Sequence, residues 1–506
     1  MKSVSQSIPE FGKVRAFLWP IRSSEAKKFL PISLIMFFTI FNYTVLRNSK
    51  DAFIMTEAGA EVLPFLKGGV VLPCSLLLVA AYTKLANNLS RERLYYVVVL
   101  FFLSFFALFG AILHPYRDAV QMSGETIAHF KTAYPHLQHI FPLFGVWIYT
   151  AFYVFAELWG AVVLNLSFWQ FANEVTRTVE AKRFYSMFGF IGHLALIAAG
   201  YTVGENCKFD EGTMSCEGYV RATVTVVLIA GVMMLSLYYW LHRAVLTDPK
   251  YYEGAGQLVK GESRKLKLSL MQSIRYILSS PYLGLIATLV FSYAFTMNLL
   301  GIMWKKQLSI QYPTTSAYAS FMGSFSIYTG ITTVTVIFFF KGIVSRFGWR
   351  AGALATPIIL FITAVAFFSF LFFKAQLTPF MSLMGTTPLM MAVLVSTLQQ
   401  LLSKSAKYSL FDPTKEMAYI PLDQELKIKG KAAVDVTVHQ FGKAAGGYVS
   451  GLLLVVLAAA DLMVIAPYLA VVILVAIVLW FAAVKALNKM YHIQLAKLDP
   501  GAPARA

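Results

Sequence analysis

Charge is scarce in this chain, and negative charge is scarcer. Of 506 residues only 13% are Asp, Glu, Lys or Arg, while 58% are hydrophobic; a soluble domain carries about 25% charged residues. With a mean hydropathy of +0.64, that balance excludes an ordinary water-soluble domain and assigns an all-α integral membrane protein. Acidic residues number 25 against 43 Lys and Arg, a formal charge of +18. Such an excess suits nucleic acid only when the basic residues cluster on a soluble domain. Here they are scattered between apolar runs, so no nucleic-acid partner is expected. Cysteine is nearly absent. Cys74 lies in an apolar run, and Cys207 and Cys216 share the segment "GENCKFDEGTMSCEGY". On an extracytoplasmic face those two either bridge or stay as thiols. No G-x-x-x-x-G-K-[ST] stretch exists, which removes P-loop ATP hydrolysis as a power source. No H-E-x-x-H or paired-cysteine pattern exists, so no metal and no cofactor are expected. The histidines are scattered, and an enzyme is not expected.

Long apolar runs are what the chain has in abundance. Crossing a bilayer takes about 20 apolar residues, and twelve runs qualify. They cover approximately 29–46, 64–83, 95–114, 140–172, 184–204, 219–242, 282–303, 317–340, 351–373, 379–402, 432–459 and 463–487. The fourth is too long for one straight crossing: it is either one long tilted helix or two pieces. With the N-terminus inside, about 32 of the 43 Lys and Arg fall on the cytoplasmic side and about 10 outside, a strong positive-inside bias. Residues 1–28 have no short apolar core or small-residue cleavage site, so they form an uncleaved cytoplasmic segment. The basic stretch 243–281 divides the spans six and six, giving halves 29–242 and 282–487 and a cytoplasmic tail 488–506. That is the layout of a major-facilitator-like transporter, with a site near the midplane between two six-helix halves. No clear internal sequence repeat supports the symmetry, which rests on the count.

Inside these runs a few charges stand out. In "DVTVHQFGKAAGGYVSGLLLVV" Asp435, His439 and Lys443 recur at steps of four, which puts them on one helix face. A lysine at bilayer depth costs roughly 2.5–3.5 kcal/mol on insertion scales, and such residues usually face a cavity or pathway. Lys67 opens the second run in "PFLKGGVV", where snorkelling to an interface is the plain alternative. Glu157 interrupts the fourth in "YVFAELWGAVV", flanked by apolar residues on both sides; a buried acid needs a partner or a proton. At the end of the first run, "NYTVLRNSKDAF" spaces Arg47 and Asp51 as a pair and leaves Lys50 at the outer end, on a solvated rim or in an entry funnel, with the rim slightly favoured. Two lysines and few acids in a membrane cavity suit a polyanion, and lysine binds phosphate as a compact point charge. The residues alone lead to a twelve-span secondary transporter for an anion.

The stretches "NYTVLR", "KDAF", "PFLK", "AELWG" with "FWQFANE", "EAKRFYSMFG", "VLTDP" and "KYSLFDPTKEMAYIPLDQELKIKGKAAVDV" closely resemble the bacterial and plastid-type ATP/ADP translocase family. The resemblance runs from about residue 17 to 488. It implies transport of nucleotides by alternating access, and two lysines that meet the substrate phosphates. Those are Lys67 of "PFLK" and Lys443 of "GKAAGG", with Glu157 of "AELWG" as the third charged position. Two departures bear on substrate choice. The family commonly has an acid before the tryptophan of the seventh span, where this chain has Gly301 in "NLLGIMW". It commonly has an asparagine in the fifth span, where this chain has His193 in "GFIGHLAL". Both fit a paralogue that imports nucleoside triphosphates (ATP, GTP, CTP, UTP or a subset) from a host across a bacterial inner membrane. Protons would be coupled through Glu157, Asp435 or His439, and His193 and Gly301 would act in base selection. The alternatives are an ATP/ADP or broader nucleotide exchanger, with diphosphates as substrates too, and a major-facilitator porter for another organic phosphate. The expected assembly is a monomer in the lipid bilayer with both termini cytoplasmic.

Overall fold

The structure is a computed structural model. It describes residue 15 and residues 19–208, 216–248, 251, 280–340, 343–422, 430, 431 and 433–498, almost entirely helical. Helix is the expected answer to apolar runs of this length, because lipid offers no partner for an unpaired backbone group. The principal helices are α1 (Ser23–Glu57), α2 (Ala60–Asn88), α3 (Arg91–Leu113), α4 (Trp147–Val175), α5 (Thr178–Cys207), α6 (Glu217–Ala244) and α7 (Pro281–Gln311). They continue with α8 (Thr315–Phe340), α9 (Ile343–Phe372), α10 (Pro388–Tyr419), α11 (Ala433–Val438 running into His439–Val456) and α12 (Leu462–Leu498).

Helix thus occupies all twelve expected positions. Among the described residues, nine helices are long and apolar enough to cross a membrane, or ten if the bent pair Lys374–Leu383 and Pro388–Tyr419 counts as one span. α8 and α11 fall outside that set. The first is rich in Ser and Thr; the second carries His439, Lys443 and four glycines. The fourth span resolves as two pieces: Phe141–Gly145 is separated from Trp147 by the non-helical Val146. The tenth bends by 92° around Gly385, whose φ of 69° lies in the left-handed region open to glycine. α1 runs eleven residues beyond the expected end at residue 46, because Lys50 and Asp51 are buried and do not meet water. Most of 1–28, of the 243–281 linker and of the last eight residues lies outside the described residues, while α12 carries helix through Leu498 into the expected tail.

For orientation, the end of the bundle where α1 begins is called the terminal end, and the opposite one the far end. At the terminal end α1 and α5 start alike. Glu25 accepts the Arg22 N–H at 3.1 Å, and Glu180 accepts the Arg177 N–H at 3.1 Å, two capped first turns. Arg183 of α5 then grips Glu25 with both guanidinium nitrogens, at 2.8 and 2.6 Å. Lys28, fully buried, gives its protons to Glu180 at 2.5 Å, to the Tyr251 carbonyl at 2.7 Å and to the Val175 carbonyl at 3.2 Å. In the second half Trp349 donates to the Thr414 carbonyl at 2.8 Å and Tyr282 to the Ala418 carbonyl at 2.8 Å. Among the described residues, the side-chain bonds of the terminal end stay within one half.

The far end is different: there the halves are pinned together. α5 and α8 approach so closely that a Cβ on Gly200 would stand 2.4 Å from the Gly323 carbonyl oxygen. Asn48 of α1 donates to Ser326 Oγ of α8 at 2.9 Å, and the Thr56 and Thr315 hydroxyls share a bond at 2.8 Å. Pro64 of α2 packs against the glycine face of α11 at Gly447 and Gly451. His136 and His139, between α3 and α4, bond the Val455 and Ala459 carbonyls at 2.7 Å each. Cys207 and Cys216 are both buried at this end. The Cys216 sulfur is turned to His114 Nε2 at 3.5 Å.

The Glu180 cluster yields a stability prediction. Burial alone would raise the Glu180 carboxyl, but the bonds from Arg177 and Lys28 outweigh it and hold it below the ordinary carboxylate range. A depressed folded value means that its contribution is complete above the unfolded value of about 4.3 and is lost as pH falls through the folded one. Glu180→Ala leaves the Lys28 ammonium buried and uncompensated, and should cost about 3–5 kcal/mol. Thermal unfolding in detergent at neutral pH reads this loss, and the gap from wild type should shrink as the pH is lowered through the carboxylate range.

Candidate functional site

Lys67 lies in Leu66–Val71, a stretch of α2 wound as π-helix. Glu157 sits just before another such stretch, Trp159–Phe168 of α4. His439 and Lys443 follow a third, Ala433–Val438, in α11. A π-turn inserts an extra residue, shifts the helix register and frees backbone groups, which is why such turns gather at functional positions. The glycines of "LKGGVV" and "GKAAGG" lie nearby. They let α2 and α11 come together, with the Tyr448 hydroxyl bonded to the Gly68 carbonyl at 3.4 Å.

Glu157 is at the centre of the charges. Its carboxylate is 3.1 Å from Lys50 Nζ and keeps 42% of its side-chain surface open. Lys67 is half-buried and Lys443 is exposed, and both lie near enough to attract the Glu157 carboxylate. Lys67 of α2, Glu157 of α4 and Lys443 of α11 thus form one cluster of charges drawn from both halves.

Behind Glu157 stands a network that the sequence did not disclose. Lys50 is 3% exposed. It reaches Asp51 at 3.0 Å as well as Glu157, and its ammonium lies 3.7 Å from the Tyr153 ring centroid. Asp51 in turn holds Lys305 of α7 at 2.7 Å. Close by, Lys306 bridges Glu61 at 2.6 Å and Asp461 at 2.7 Å. Asp51–Lys305 and Glu61–Lys306 thus join the first half to the second at the far end. This corrects two expectations. Asp51 pairs with Lys50 and Lys305 rather than Arg47, and Lys50 is a buried hub rather than a solvated rim. Lys305 and Lys306 follow the apolar run in "MWKK", and their buried partners Asp51 and Glu61 lie more than 200 residues away in sequence.

On α11, Asp435 bonds Lys415 at 2.8 Å and the Tyr419 hydroxyl at 3.3 Å, within the second half. Residues 433–438 are wound as π-helix and lead directly into the α-helical turn of His439 and Lys443. His439 is half-buried and lies within the fields of Lys443, Lys407 and Lys415. His193 is half-buried in α5 with its Nδ1 lacking a hydrogen-bond partner, and its carbonyl abuts Gly330 of α8. Gly301 is half-buried on α7, and a Cβ there would stand 3.9 Å from the Gln400 side-chain nitrogen. In the cluster around Glu157, Lys50, Lys67, Lys305 and Lys443 are opposed by Asp51 and Glu157, four ammonium groups to two carboxylates. The excess positive charge suits an anionic cargo.

The resemblances of the whole chain agree with this architecture. Among solved structures, a bacterial homologue of the iron transporter ferroportin in an inward-facing state superposes with a TM-score of 0.59 at 14% identity, over 92% of this chain and 99% of that one. The xylose transporter XylE of E. coli, in a partially occluded inward-open conformation, gives 0.53 at 11% identity, over 91% and 98%. These establish a major-facilitator-type fold. The curated relatives are much nearer. An ADP,ATP carrier protein 1 of Chlamydia pneumoniae is 42% identical over 493 residues, covering 96% of this chain and 95% of that protein. One of Rickettsia bellii is 39% identical over 494 residues, covering 97% and 98%. A chloroplastic ADP,ATP carrier protein 1 of Arabidopsis thaliana is 37% identical over 482 residues, covering 94% and 76%. The model of the TLC ATP/ADP transporter family matches residues 4–491. This multi-pass membrane protein, a nucleotide transporter and not an enzyme, belongs to the TLC ATP/ADP transporter family.

Proposed function

We propose that the chain exchanges nucleotides across a bacterial inner membrane by alternating access, with Lys67 and Lys443 as ligands of the substrate phosphates. The observation that carries this reading is the charge balance around Glu157: two lysines from opposite halves, Lys67 and Lys443, lie near a carboxylate that already has Lys50 as its partner. A polyphosphate entering between Lys67 and Lys443 would meet uncompensated positive charge, and each lysine would supply a charge-assisted bond. The terminal end is the cytoplasmic one in this reading, as the positive-inside bias requires. The far-end pins then close the outside, and the site opens inward.

Exchange is preferred to net import for two reasons. The relatives are named ADP,ATP carriers, and Glu157 is occupied by a cation rather than poised for a proton. Bringing in a triphosphate alone moves roughly four negative charges against the membrane potential, about 9 kcal/mol at 100 mV. Counter-movement of a diphosphate relieves most of that. Net import with protons is the second reading. It is favoured by Gly301, which leaves the α7 wall without an acid, and by His439, half-buried among three lysines. His193 is proposed to act in base choice through its unpartnered Nδ1. Asp435, held by Lys415, positions α11.

Two experiments follow. Lys443→Gln and Lys67→Gln should each weaken transport of ATP, GTP, CTP and UTP by a common factor, roughly ten- to a hundredfold for one lost charge-assisted contact. Uptake into proteoliposomes measures it, and wild-type affinity in both variants would move the phosphate site elsewhere. Liposomes without internal nucleotide separate the two readings. Exchange predicts little uptake until ATP or ADP is loaded inside, whatever the proton gradient. Uptake into empty vesicles that rises with an inward proton gradient and collapses with a protonophore would establish the import reading instead.

A further inference from the structure

The first half holds a cavity of about 230 Å³ at its terminal end, walled by α2, α3, α4 and α6. None of the charges clustered around Glu157 lines it. Its walls are largely aromatic. The Tyr95 and Tyr238 rings stack with centroids 3.9 Å apart, and the rings of His242 and Phe171 lie 4.3 and 4.9 Å from that of Tyr238. Polar groups are few. Tyr82 donates to Gln170 Oε1 at 2.8 Å. Ser167, buried roughly two turns deeper along α4 than Glu174, has a hydroxyl with no hydrogen-bond partner. At the mouth stand Arg91 and Glu174, each about half exposed, and their closest approach is 3.4 Å. A closed charge-assisted pair comes to about 2.7–2.9 Å, so this one is loosely held.

The two mouth charges stand against their own helices. Arg91 opens α3 and Glu174 sits in the last turn of α4, whereas a helix start favours an anion and a helix end a cation. An ion pair placed for stability alone would run the other way. Its complement is a ligand that also carries an anion and a cation side by side. Depth narrows the class. Tyr239 and Trp240 are exposed on α6 between the cavity residues Tyr238 and His242, and exposed Tyr and Trp mark the headgroup level of a bilayer. The space equals roughly eight waters of liquid, and aromatic walls offer so many waters few partners. We propose that this cavity is a lipid seat that takes a phosphoammonium headgroup, with the phosphate against Arg91 and the ammonium against Glu174. A primary ammonium has N–H donors for Glu174 that a trimethylammonium lacks, and a purely anionic headgroup meets the Glu174 carboxylate unshielded. The class is therefore phosphatidylethanolamine, ahead of phosphatidylcholine and phosphatidylglycerol. Val175 lines the cavity and gives its carbonyl to Lys28 at 3.2 Å, so an occupied seat braces the turn on which the Lys28–Glu180 contact rests.

The test uses the full-length protein, purified in detergent and stripped of lipid. Native mass spectrometry counts bound molecules, and the rise in unfolding temperature reads their affinity. The probes are the dioleoyl forms of phosphatidylethanolamine, phosphatidylcholine and phosphatidylglycerol, and glycerophosphoethanolamine, which has the same headgroup without acyl chains. Wild type should bind one phosphatidylethanolamine roughly tenfold more tightly than either other lipid, as one charge-assisted contact allows. Arg91→Gln and Glu174→Gln should each lose that preference. The exchange variant, Arg91→Glu with Glu174→Arg, keeps an ion pair and turns both charges to their favoured helix ends. It should unfold no earlier than wild type and still lose the preference, which a merely structural ion pair would not do. Glycerophosphoethanolamine separates the sources of the headgroup. Displacement of the lipid by an equal concentration of it assigns the seat to a soluble phosphoammonium compound, and failure to displace assigns it to the bilayer. A lipid preference that is absent from wild type, or that survives in any of the three variants, overturns the seat.

Discussion

The Asp51–Lys305 ion pair is the constraint on which the arrangement of the halves turns. Both groups are nearly buried, at a depth where an unpaired charge is costly, so separating them demands that each find another partner. Asp51 has one at hand in Lys50, and Lys50 has a second in Glu157. The far-end closure is therefore wired to the charge cluster: Lys305, Asp51, Lys50 and Glu157 alternate in sign along one chain of contacts. An anion arriving near Lys67 and Lys443 sits beside the last link. It competes with Glu157 for cations and changes the field in which Lys50 chooses between its two carboxylates. A substrate need not touch the far end to loosen it. What it must do is bind the opened and closed arrangements differently, since only a differential interaction shifts an equilibrium.

The packing supports a hinge of this kind. Glycine faces bring α5 close to α8, and α2 close to α11: Gly200 meets Gly323, and Gly447 and Gly451 meet Pro64. By contrast the terminal end of the first half is bolted within itself, by Arg183 to Glu25 and by Lys28 to Glu180. Rigid halves with a close seam between them are what rocking about a central site requires. The π-helical turns beside Lys67, Glu157 and His439 put the locally adaptable backbone at the charge cluster rather than in the bolted regions.

Much of this could be read from the residues. Span positions follow from apolar length, and Lys67, Glu157 and Lys443 stood out because a charge in an apolar run needs a reason. What escaped did so for physical causes. The end of α1 was set too early because Lys50 and Asp51 look like surface residues until their partners on α4 and α7 are known. A pairing between residues 51 and 305 joins two helices far apart in sequence, and no local pattern announces it. The partner of Asp435 was missed for the same reason: Lys415 precedes it by 20 residues, too far for a helical spacing rule to join them. Lys305 and Lys306 drew no reading from the sequence, because nothing local in "MWKK" marks a lysine whose acid partner lies on another helix.

The central claim is that Asp51 holds the far end shut. Spin labels at Glu57 and Thr314, both exposed and each next to a residue of the Thr56–Thr315 bond, report the separation of the halves there. Pulsed electron-resonance distances in the wild type without nucleotide should be dominated by one short component. In Asp51→Asn a longer component should grow at its expense, with the variant still folded. If the distance distribution is the same with and without the Asp51 carboxylate, the ion pair does not govern the closure.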